Sequence, residues 1–232
     1  MIEHVRKRAE ISQVFNAGVF VATCDEEIYD LITLNGGNCI MTSNFHHSGS
    51  SRASEAVDEI DCTHVVIIQG DEPLILPDDL KKFVNAVESS NDYFVWNGVS
   101  NILIKEDFKD TSIVKSVANK NGEIIFFHRG NPYISSSDFY KEFSKKVLGL
   151  ICFEKNTLKK INFLDKTLIE TSENIEQLHI LMNSIKIKSV ELGESYPSVN
   201  LIEDALKVQK YLSADEIQIE ILNMYNKPSN FE

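Results

Sequence analysis

The first ninety residues alternate between helical and strand-like patterns of hydrophobic positions. Ile2, Val5 and Ala9 recur at helical spacing, whereas VFVAT at 19–23 and HVVIIQ at 64–69 have the apolar pattern of buried strands. The other predicted elements of this half are a helix capped by Asp25 and ended by Gly36–Gly37, a strand at 38–42, and helices at 52–60 and 77–89. This alternation is typical of βαβ units around a parallel sheet.

The second half of the chain is richer in strand patterns. Strands are predicted at 93–97, 112–118, 123–128, 147–153 and 186–192, and helices at about 173–184, at 201–212 and from Ser213 onward. The sequence contains neither an internal repeat nor a Pro/Gly/Ser-rich linker that would mark a domain boundary. We therefore predict an α/β fold, with a doubly wound, mostly parallel sheet and a β-rich insertion, in a single domain over residues 1–232.

Composition and charge narrow the class of partner. The 232 residues are 43% hydrophobic, and 23 Lys+Arg against 35 Asp+Glu give a net charge of −12. An acidic surface repels phosphate backbones and anionic lipids, so we expect neither nucleic-acid nor membrane binding. No apolar stretch approaches the ~20 residues that a membrane span needs. The four scattered cysteines form no CxxC pair, which favours a reducing cytoplasm.

The sharpest chemical motif is QGDEP at 69–73, directly after the predicted strand at 64–69. Ligands of open parallel sheets bind beyond the carboxyl ends of the strands. A carboxylate at that place, here Asp71, can hold Mg²⁺, which takes its remaining ligands from water and substrate phosphates. The alternative is a Gly-Asp turn that only joins a strand to a helix. Spacing alone leaves both interpretations open.

A second motif, HHSGSSR at 46–52, precedes a predicted helix. Backbone N–H groups at a helix N-terminus can bind an anion or a polar ring, and Arg52 adds a forked donor. The alternative is an N-cap loop with solvated histidines. The paired histidines also admit a zinc site with a nearby cysteine, but no ligand spacing supports one.

Three further groups of polar residues lie in the second half. Lys115 lies in an apolar strand, where an unpaired charge is costly, so we expect it to point to a ligand or an acidic partner. His128 and Arg129 end another strand. Glutamates at 170, 173 and 176 cluster near a predicted helix start, where charge at the helix N-terminus is the simpler explanation.

The motifs resemble those of the 3-deoxy-manno-octulosonate cytidylyltransferases, or CMP-Kdo synthetases, and they follow one another along the chain in the order typical of that family. The similarity runs from Met1 almost to Leu212, and it includes MTSNFHHSGSSR at 41–52, QGDEP at 69–73, VK at 114–115, LG at 148–149 and IEQL at 175–178. The resemblance implies a nucleotidyltransferase fold and a homodimer. It also implies the Mg²⁺-dependent reaction of CTP with an acidic sugar to give a CMP-sugar and pyrophosphate, a step in lipopolysaccharide biosynthesis.

Matched position by position, the resemblance also implies residue roles. It assigns Asp71 and Lys115 to catalysis, and it assigns Mg²⁺ binding to Asp71 and the position of Asn200. The residues that it places on the nucleotide side are Ser48, Gly49 and Arg52. The residues that it places against the sugar are Gln69, Arg129, Glu176 and Gln177.

The sequence departs from the family pattern in three places. The first strand and the loop P-A-R-x-x-S-x-R-L-P-G-K have no counterpart, because Met1 aligns with the helix that follows that loop. Asn200 replaces an aspartate, and an amide is a weaker ligand for a hard cation. Val147 and Ile151 replace a histidine and a tyrosine near the sugar, which favours a less polar sugar. The alternative function is therefore an inactive, truncated relative that acts by binding or association.

Overall fold

The computed structural model describes residues 1–90, 92–103, 105–130 and 143–225. These residues divide between two compact units. The first unit contains residues 1–45, 68–84 and Tyr196 onward, and the second contains 46–67 and 85–195. A single domain over the whole chain stays a prediction. Among the described residues, no helix combines the length and the apolar character that a membrane crossing requires.

Among the described residues, the chain forms nine helices and eight strands. In chain order they are α1 (Ile2–Ser12), β1 (Phe20–Thr23), α2 (Glu26–Leu34), β2 (Asn38–Met41), α3 (Gly49–Ala56), β3 (His64–Ile68), α4 (Pro77–Glu88), β4 (Val95–Asn101), β5 (Lys115–Ala118), β6 (Glu123–His128), β7 (Ser144–Glu154), α5 (Lys155–Ile161), α6 (Leu168–Glu173), α7 (Glu176–Met182), β8 (Ile187–Glu191), α8 (Ile202–Ala214) and α9 (Glu216–Tyr225). Two 3₁₀ turns, Val57–Glu59 and Lys105–Phe108, complete the set.

In the first unit, β1 and β2 form a parallel two-stranded ladder in which Phe20 lies opposite Asn38. Asp25 caps α2 as predicted, because its carboxylate accepts a hydrogen bond from the Glu27 N–H at 2.9 Å. A buried arginine also stabilises this unit: Arg8 of α1 donates to the Gln218 side chain at 2.6 Å and to the Ile75 carbonyl at 3.1 Å. These bonds join α1 to α9 and to the segment before α4.

The second unit is built on a six-stranded sheet with the strand order β3-β7-β4-β8-β6-β5. β4 is parallel to β8 and antiparallel to β7. β6 is antiparallel to β5 and β8, and β5 is also antiparallel to the start of β7. The predicted α/β class and β-rich insertion are confirmed. The expectation of a mostly parallel sheet is wrong here, because the insertion contributes strands such as β5 and β6 that a tight turn joins, and such strands run antiparallel.

The core of the second unit lies between this sheet and its helices. Its fully buried apolar side chains include Val95, Phe127, Leu158, Leu178 and Ile187. Trp96 is buried as well, and its indole N–H donates to the Ser90 hydroxyl at 2.7 Å. The burial of these apolar side chains stabilises the sheet that carries the polar residues described below.

Two helices of the second unit differ from the predicted pattern. The helix expected at about 173–184 is confirmed over a shorter range as α7. The periodicity did not predict α6, which ends where Asn174 adopts a left-handed conformation with φ of 53°. It also did not predict α5, which Glu154 caps by accepting from the Thr157 N–H at 3.0 Å. The predicted C-terminal helix is confirmed as α9, and its expected frayed end, 226–232, lies outside the described residues.

Candidate functional site

The predicted acidic turn directly follows β3. The Glu72 N–H donates to the Gln69 carbonyl at 3.2 Å, which closes the turn around Gly70 and Asp71. A Cβ atom at Gly70 would lie 3.3 Å from Cδ1 of Ile2, so the glycine allows α1 to approach the turn closely. Asp71 is half-buried, and burial raises the pKa of its carboxyl group while a hydrogen bond with its own backbone N–H lowers it.

The structure brings the segment of Asn200 against this turn. The Val199 N–H donates to the Asp71 carbonyl at 2.9 Å, so the two positions predicted to bind Mg²⁺ lie on adjacent backbone segments. The backbone N–H groups of Asn200 and Leu201 donate to Oδ2 of Asp204 at 3.2 and 3.0 Å. This carboxylate caps α8 and thereby holds the Asn200 segment in place. Asp204 was not among the residues singled out from the sequence.

The donor chemistry of this turn fits a hard cation. The Asp71 carboxylate and the Asn200 side-chain carbonyl are oxygen ligands of the kind that Mg²⁺ prefers. Within the part of the chain that the structure describes, no three His, Cys, Asp or Glu side chains are grouped to hold a metal ion. Two protein oxygens are compatible with Mg²⁺, because this ion keeps several waters and binds substrate phosphates.

In the second unit, the serine-rich motif forms the N-terminus of α3. Ser48 is the N-cap, and its side-chain oxygen accepts from the Ser51 N–H at 3.2 Å. Gly49 begins the helix and Arg52 lies one turn along it, with its backbone N–H donating to the Ser48 carbonyl at 3.2 Å. Nε2 of His46 is hydrogen-bonded to the Glu55 carboxylate of α3, so this histidine lies against the helix.

Glu176 is the first residue of α7 and is half-buried. Burial raises the pKa of its carboxyl group, and the neighbouring polar groups of Ser48 and Ser50 lower it by a smaller amount.

Gln177, the next residue of α7, is bound by a buried asparagine. Its Nε2 donates to Oδ1 of Asn97 at 3.1 Å. The Asn97 side chain is fully buried in β4, and its Nδ2 donates to the carbonyls of Leu148 and Leu150 in β7 at 3.3 and 3.1 Å. Sequence reasoning missed Asn97, although a polar residue after the apolar run YFVW was a signal that could have identified it.

The guanidinium group of Arg129 donates hydrogen bonds to four backbone carbonyls. Its Nε and Nη2 donate to the carbonyls of Glu173 and Asn174, both at 3.0 Å. Its Nη1 donates to the carbonyls of Ser112 and Thr111 at 2.9 and 3.2 Å. Arg129 thus connects the end of β6 to the turn that precedes Glu176.

Lys115 is fully buried, and its ammonium group also donates to backbone carbonyls. The acceptors are Arg129, at 3.0 Å, and Asp110. Burial lowers the pKa of Lys115, and the nearby charges of Asp110 and Asp107 raise it. Main-chain oxygens thus bind this charge and two aspartates lie near it, and the expectation that Lys115 points to a ligand or an acidic partner stays a prediction. Its assignment to catalysis stays a prediction.

An α/β fold with an acidic turn directly beyond β3 fits a protein of the nucleotidyltransferase class, and the comparisons with known proteins show that class. The sequence matches the cytidylyltransferase family over residues 1–187. The chain belongs to this family.

Relatives of known function and a solved structure agree with this result. The chain is 35% identical over 201 residues to the 3-deoxy-manno-octulosonate cytidylyltransferase of Thermodesulfovibrio yellowstonii, covering 81% of this chain and 78% of the relative. It is 32% identical over 221 residues to the enzyme of the same name from Fusobacterium nucleatum, covering 94% and 89%. The structure of CMP:2-keto-3-deoxy-manno-octonic acid synthetase complexed with CTP superposes with a TM-score of 0.82 at 28% identity, covering 91% and 87%. The resemblance inferred from the motifs is confirmed.

Proposed function

We propose that the chain transfers CMP from CTP to a 3-deoxy-2-ulosonic acid of the Kdo type and releases pyrophosphate. The observation that carries the proposal is the position of Asp71 beyond β3, with the Asn200 segment hydrogen-bonded to the same turn. In this reaction the anomeric hydroxyl of the sugar attacks the α-phosphorus of CTP in line, and the bond to the β-phosphate breaks. Positioning and charge stabilisation account for most of such catalysis.

The acidic turn and the adjacent segment would hold Mg²⁺ through the Asp71 carboxylate and the side-chain carbonyl of Asn200. The bound ion would neutralise charge on the phosphates of CTP. The hydrogen bond from Val199 to the Asp71 carbonyl and the Asp204 cap hold these two oxygens on ordered backbone, so little conformational freedom is lost on binding.

The nucleotide and sugar assignments follow the family likeness. Ser48, Gly49 and Arg52 would contact the nucleotide, whereas Gln177 of the second unit would contact the sugar. The Asn97 side chain orients the Gln177 amide. Ile151, which replaces a tyrosine of the family pattern, pairs with Asn97 across β4 and β7. An aliphatic side chain beside this amide favours a sugar acid with fewer hydroxyl groups at that place.

The proposal predicts a preference for CTP over other nucleoside triphosphates. In a pyrophosphate-release assay with Kdo and Mg²⁺, we expect kcat/KM for CTP to exceed that for UTP or GTP by at least about 100-fold. The reason is that a pocket built to hydrogen-bond one base leaves polar groups unpaired when another base enters it. Turnover with UTP or GTP but not with CTP would contradict the assignment.

The alternative function is binding or association without catalysis. Asn200 favours it, because an amide is a weaker ligand for Mg²⁺ than the aspartate of the family pattern. It predicts that the chain binds CTP without releasing pyrophosphate in the presence of any 3-deoxy-2-ulosonic acid. The same assay, combined with a direct measurement of CTP binding, separates the two functions. We also propose a homodimer in the cytoplasm, which sedimentation of the purified chain and fractionation of cells would test.

Replacement of Asn200 by aspartate should strengthen the dependence of the reaction on Mg²⁺. A carboxylate binds a hard cation more tightly than an amide, so we expect the Mg²⁺ concentration for half-maximal rate to fall by roughly tenfold in Asn200→Asp. Asn223→Asp on α9 adds the same charge at an exposed position and serves as the control. An equal Mg²⁺ requirement in both variants and the wild type would remove Asn200 from the metal site.

A further inference from the structure

Two consecutive main-chain carbonyls follow the acidic turn, and both accept hydrogen bonds from fully buried polar side chains. Nη1 of Arg8 in α1 donates to the Ile75 carbonyl at 3.1 Å. Nε2 of Gln218 in α9 donates to the Leu74 carbonyl at 3.0 Å. The two side chains also bind each other, because Nη2 of Arg8 donates to Oε1 of Gln218 at 2.6 Å. Arg8, Gln218 and the backbone at 74–75 therefore form one connected set of hydrogen bonds.

Gln218 is itself held at the start of α9. Its backbone N–H donates to Oδ1 of Asp215, the residue directly before the helix, at 3.0 Å. The Tyr196 hydroxyl donates to the same oxygen at 3.1 Å. The Gln218 side chain is bonded at both its oxygen and its nitrogen, so its amide has a single orientation.

Stability alone does not explain this arrangement. The acceptors that the described residues offer to the Arg8 guanidinium group are neutral oxygens, and a buried charge without a carboxylate partner is costly. Replacing buried charged groups by apolar residues of similar volume is often neutral or stabilising. What the two polar side chains add is a fixed position for the backbone that accepts their hydrogen bonds.

The two carbonyls lie only three and four residues beyond Asp71. The Ile75 N–H donates to the Glu72 carbonyl at 3.2 Å, which continues the turn, and Pro73 has a fixed φ. A shift of the backbone at 74–75 therefore shifts the Asp71 carboxylate as well. Mg²⁺ requires near-ideal octahedral geometry with oxygens at about 2.0–2.1 Å, so a small displacement of one ligand weakens its binding.

We propose that Arg8 and Gln218 are positioning residues for the metal site: by holding the backbone at 74–75 they set the place of the Asp71 carboxylate and thereby the affinity for Mg²⁺. This inference rests on the proposed function, because it takes Asp71 as a ligand of Mg²⁺ and CTP as the nucleotide. Neither the motifs nor the residue roles implied by the family likeness include these two residues. The consequence is that a buried side chain of α9 controls the metal dependence of nucleotide binding.

The test measures CTP binding to the full chain by titration calorimetry without sugar, once with Mg²⁺ and once with EDTA. Gln218→Glu keeps an oxygen that accepts from Arg8 and adds a charge that pairs with it, but it removes the donor to the Leu74 carbonyl. We expect Mg²⁺ to tighten CTP binding roughly tenfold less in this variant than in the wild type, while the Kd without Mg²⁺ stays within about twofold. A merely structural role would change both Kd values by the same factor, or neither.

Turnover at varied Mg²⁺ provides a second measurement. In Gln218→Glu the Mg²⁺ concentration for half-maximal rate should rise roughly tenfold, whereas kcat at saturating Mg²⁺ should stay close to the wild-type value, because excess metal compensates for a weakened site. Gln209→Glu introduces the same charge at an exposed position of α8 and is the control. It should leave the effect of Mg²⁺ on CTP binding and on turnover unchanged.

The outcomes separate this inference from the proposed function. Failure of the wild type to bind CTP, or wild-type binding that Mg²⁺ does not tighten, would contradict the proposed function with its metal site. A wild-type effect of Mg²⁺ that Gln218→Glu retains within about twofold, or an equal loss of affinity with and without Mg²⁺, would overturn the positioning role and leave the function standing. If Gln218→Glu does not fold, as judged by thermal unfolding, Gln218→Met removes the same donor without adding a charge, and the same two Kd values decide.

Discussion

Asp71→Asn is expected to lower kcat for CMP transfer by at least about 10³-fold, equivalent to about 4 kcal/mol of transition-state stabilisation. The amide is a weaker ligand for Mg²⁺, and no second carboxylate stands at position 200 to compensate. Folding should be unaffected, because burial raises the pKa of Asp71 and thus disfavours its charged form, which a neutral side chain of the same shape relieves. Pyrophosphate release at saturating CTP, sugar and Mg²⁺ measures the effect on kcat.

A matched substitution lies seven residues further along the chain. Asp78 is exposed in the first turn of α4, where it forms an ion pair with Lys81 at 2.8 Å. Exposed pairs of this kind contribute about 0–1 kcal/mol, so Asp78→Asn should keep wild-type kcat. If Asp71→Asn retained wild-type turnover and the same Mg²⁺ requirement, Asp71 would not be a metal ligand and the proposed site would be wrong.

Asn97→Asp should strongly destabilise the second unit. The Asn97 amide donates to the carbonyls of Leu148 and Leu150, and an aspartate would place a buried negative charge against these oxygens. An uncompensated buried charge costs about 3–5 kcal/mol. For a protein of this length we expect the Tm to fall by roughly 10 °C, measured by thermal unfolding followed by circular dichroism.

The pH dependence of this loss identifies its cause. Burial would raise the pKa of the new carboxyl group in the folded state above its unfolded value of about 3.9, so the penalty is absent below that value and grows as pH rises toward the folded pKa. The difference in Tm from the wild type should therefore increase between about pH 5 and about pH 8.

Asn101→Asp provides the control for this prediction on the same strand. Asn101 is exposed at the end of β4, and its side-chain oxygen accepts from the Lys145 ammonium. A carboxylate keeps this bond, so stability should change by less than about 0.5 kcal/mol. Equal and small effects of the two substitutions would contradict the proposed burial of Asn97 as the anchor of Gln177.

Hydrophobic patterns predicted most of the elements, because those patterns are local. The strand at 64–69, the helix at 77–89 and the Asp25 cap all lie within a residue of their predicted places. The short helices α5 and α6 were not predicted, because segments of seven and six residues contain too few turns for a helical period to be recognised. The strand directions of the second unit were not predicted correctly either, since the pattern of a single strand is compatible with both parallel and antiparallel neighbours.

The candidate site, like the fold, has features that the sequence predicts and features that only the structure shows. The sequence by itself determined that the chain carries an acidic turn after a buried strand, a serine-rich helix start and the motif order of a cytidylyltransferase, since each depends on residues close together in the chain. Only the tertiary structure decided which groups those residues contact. It joined Gln177 to Asn97, Arg129 to the carbonyls of Glu173 and Asn174, and the carbonyl of Asp71 to Val199. Only packing brings donors and acceptors that are distant in the sequence within hydrogen-bonding distance. A buried polar group without a hydrogen-bond partner costs free energy, so such pairs form where the chain packs.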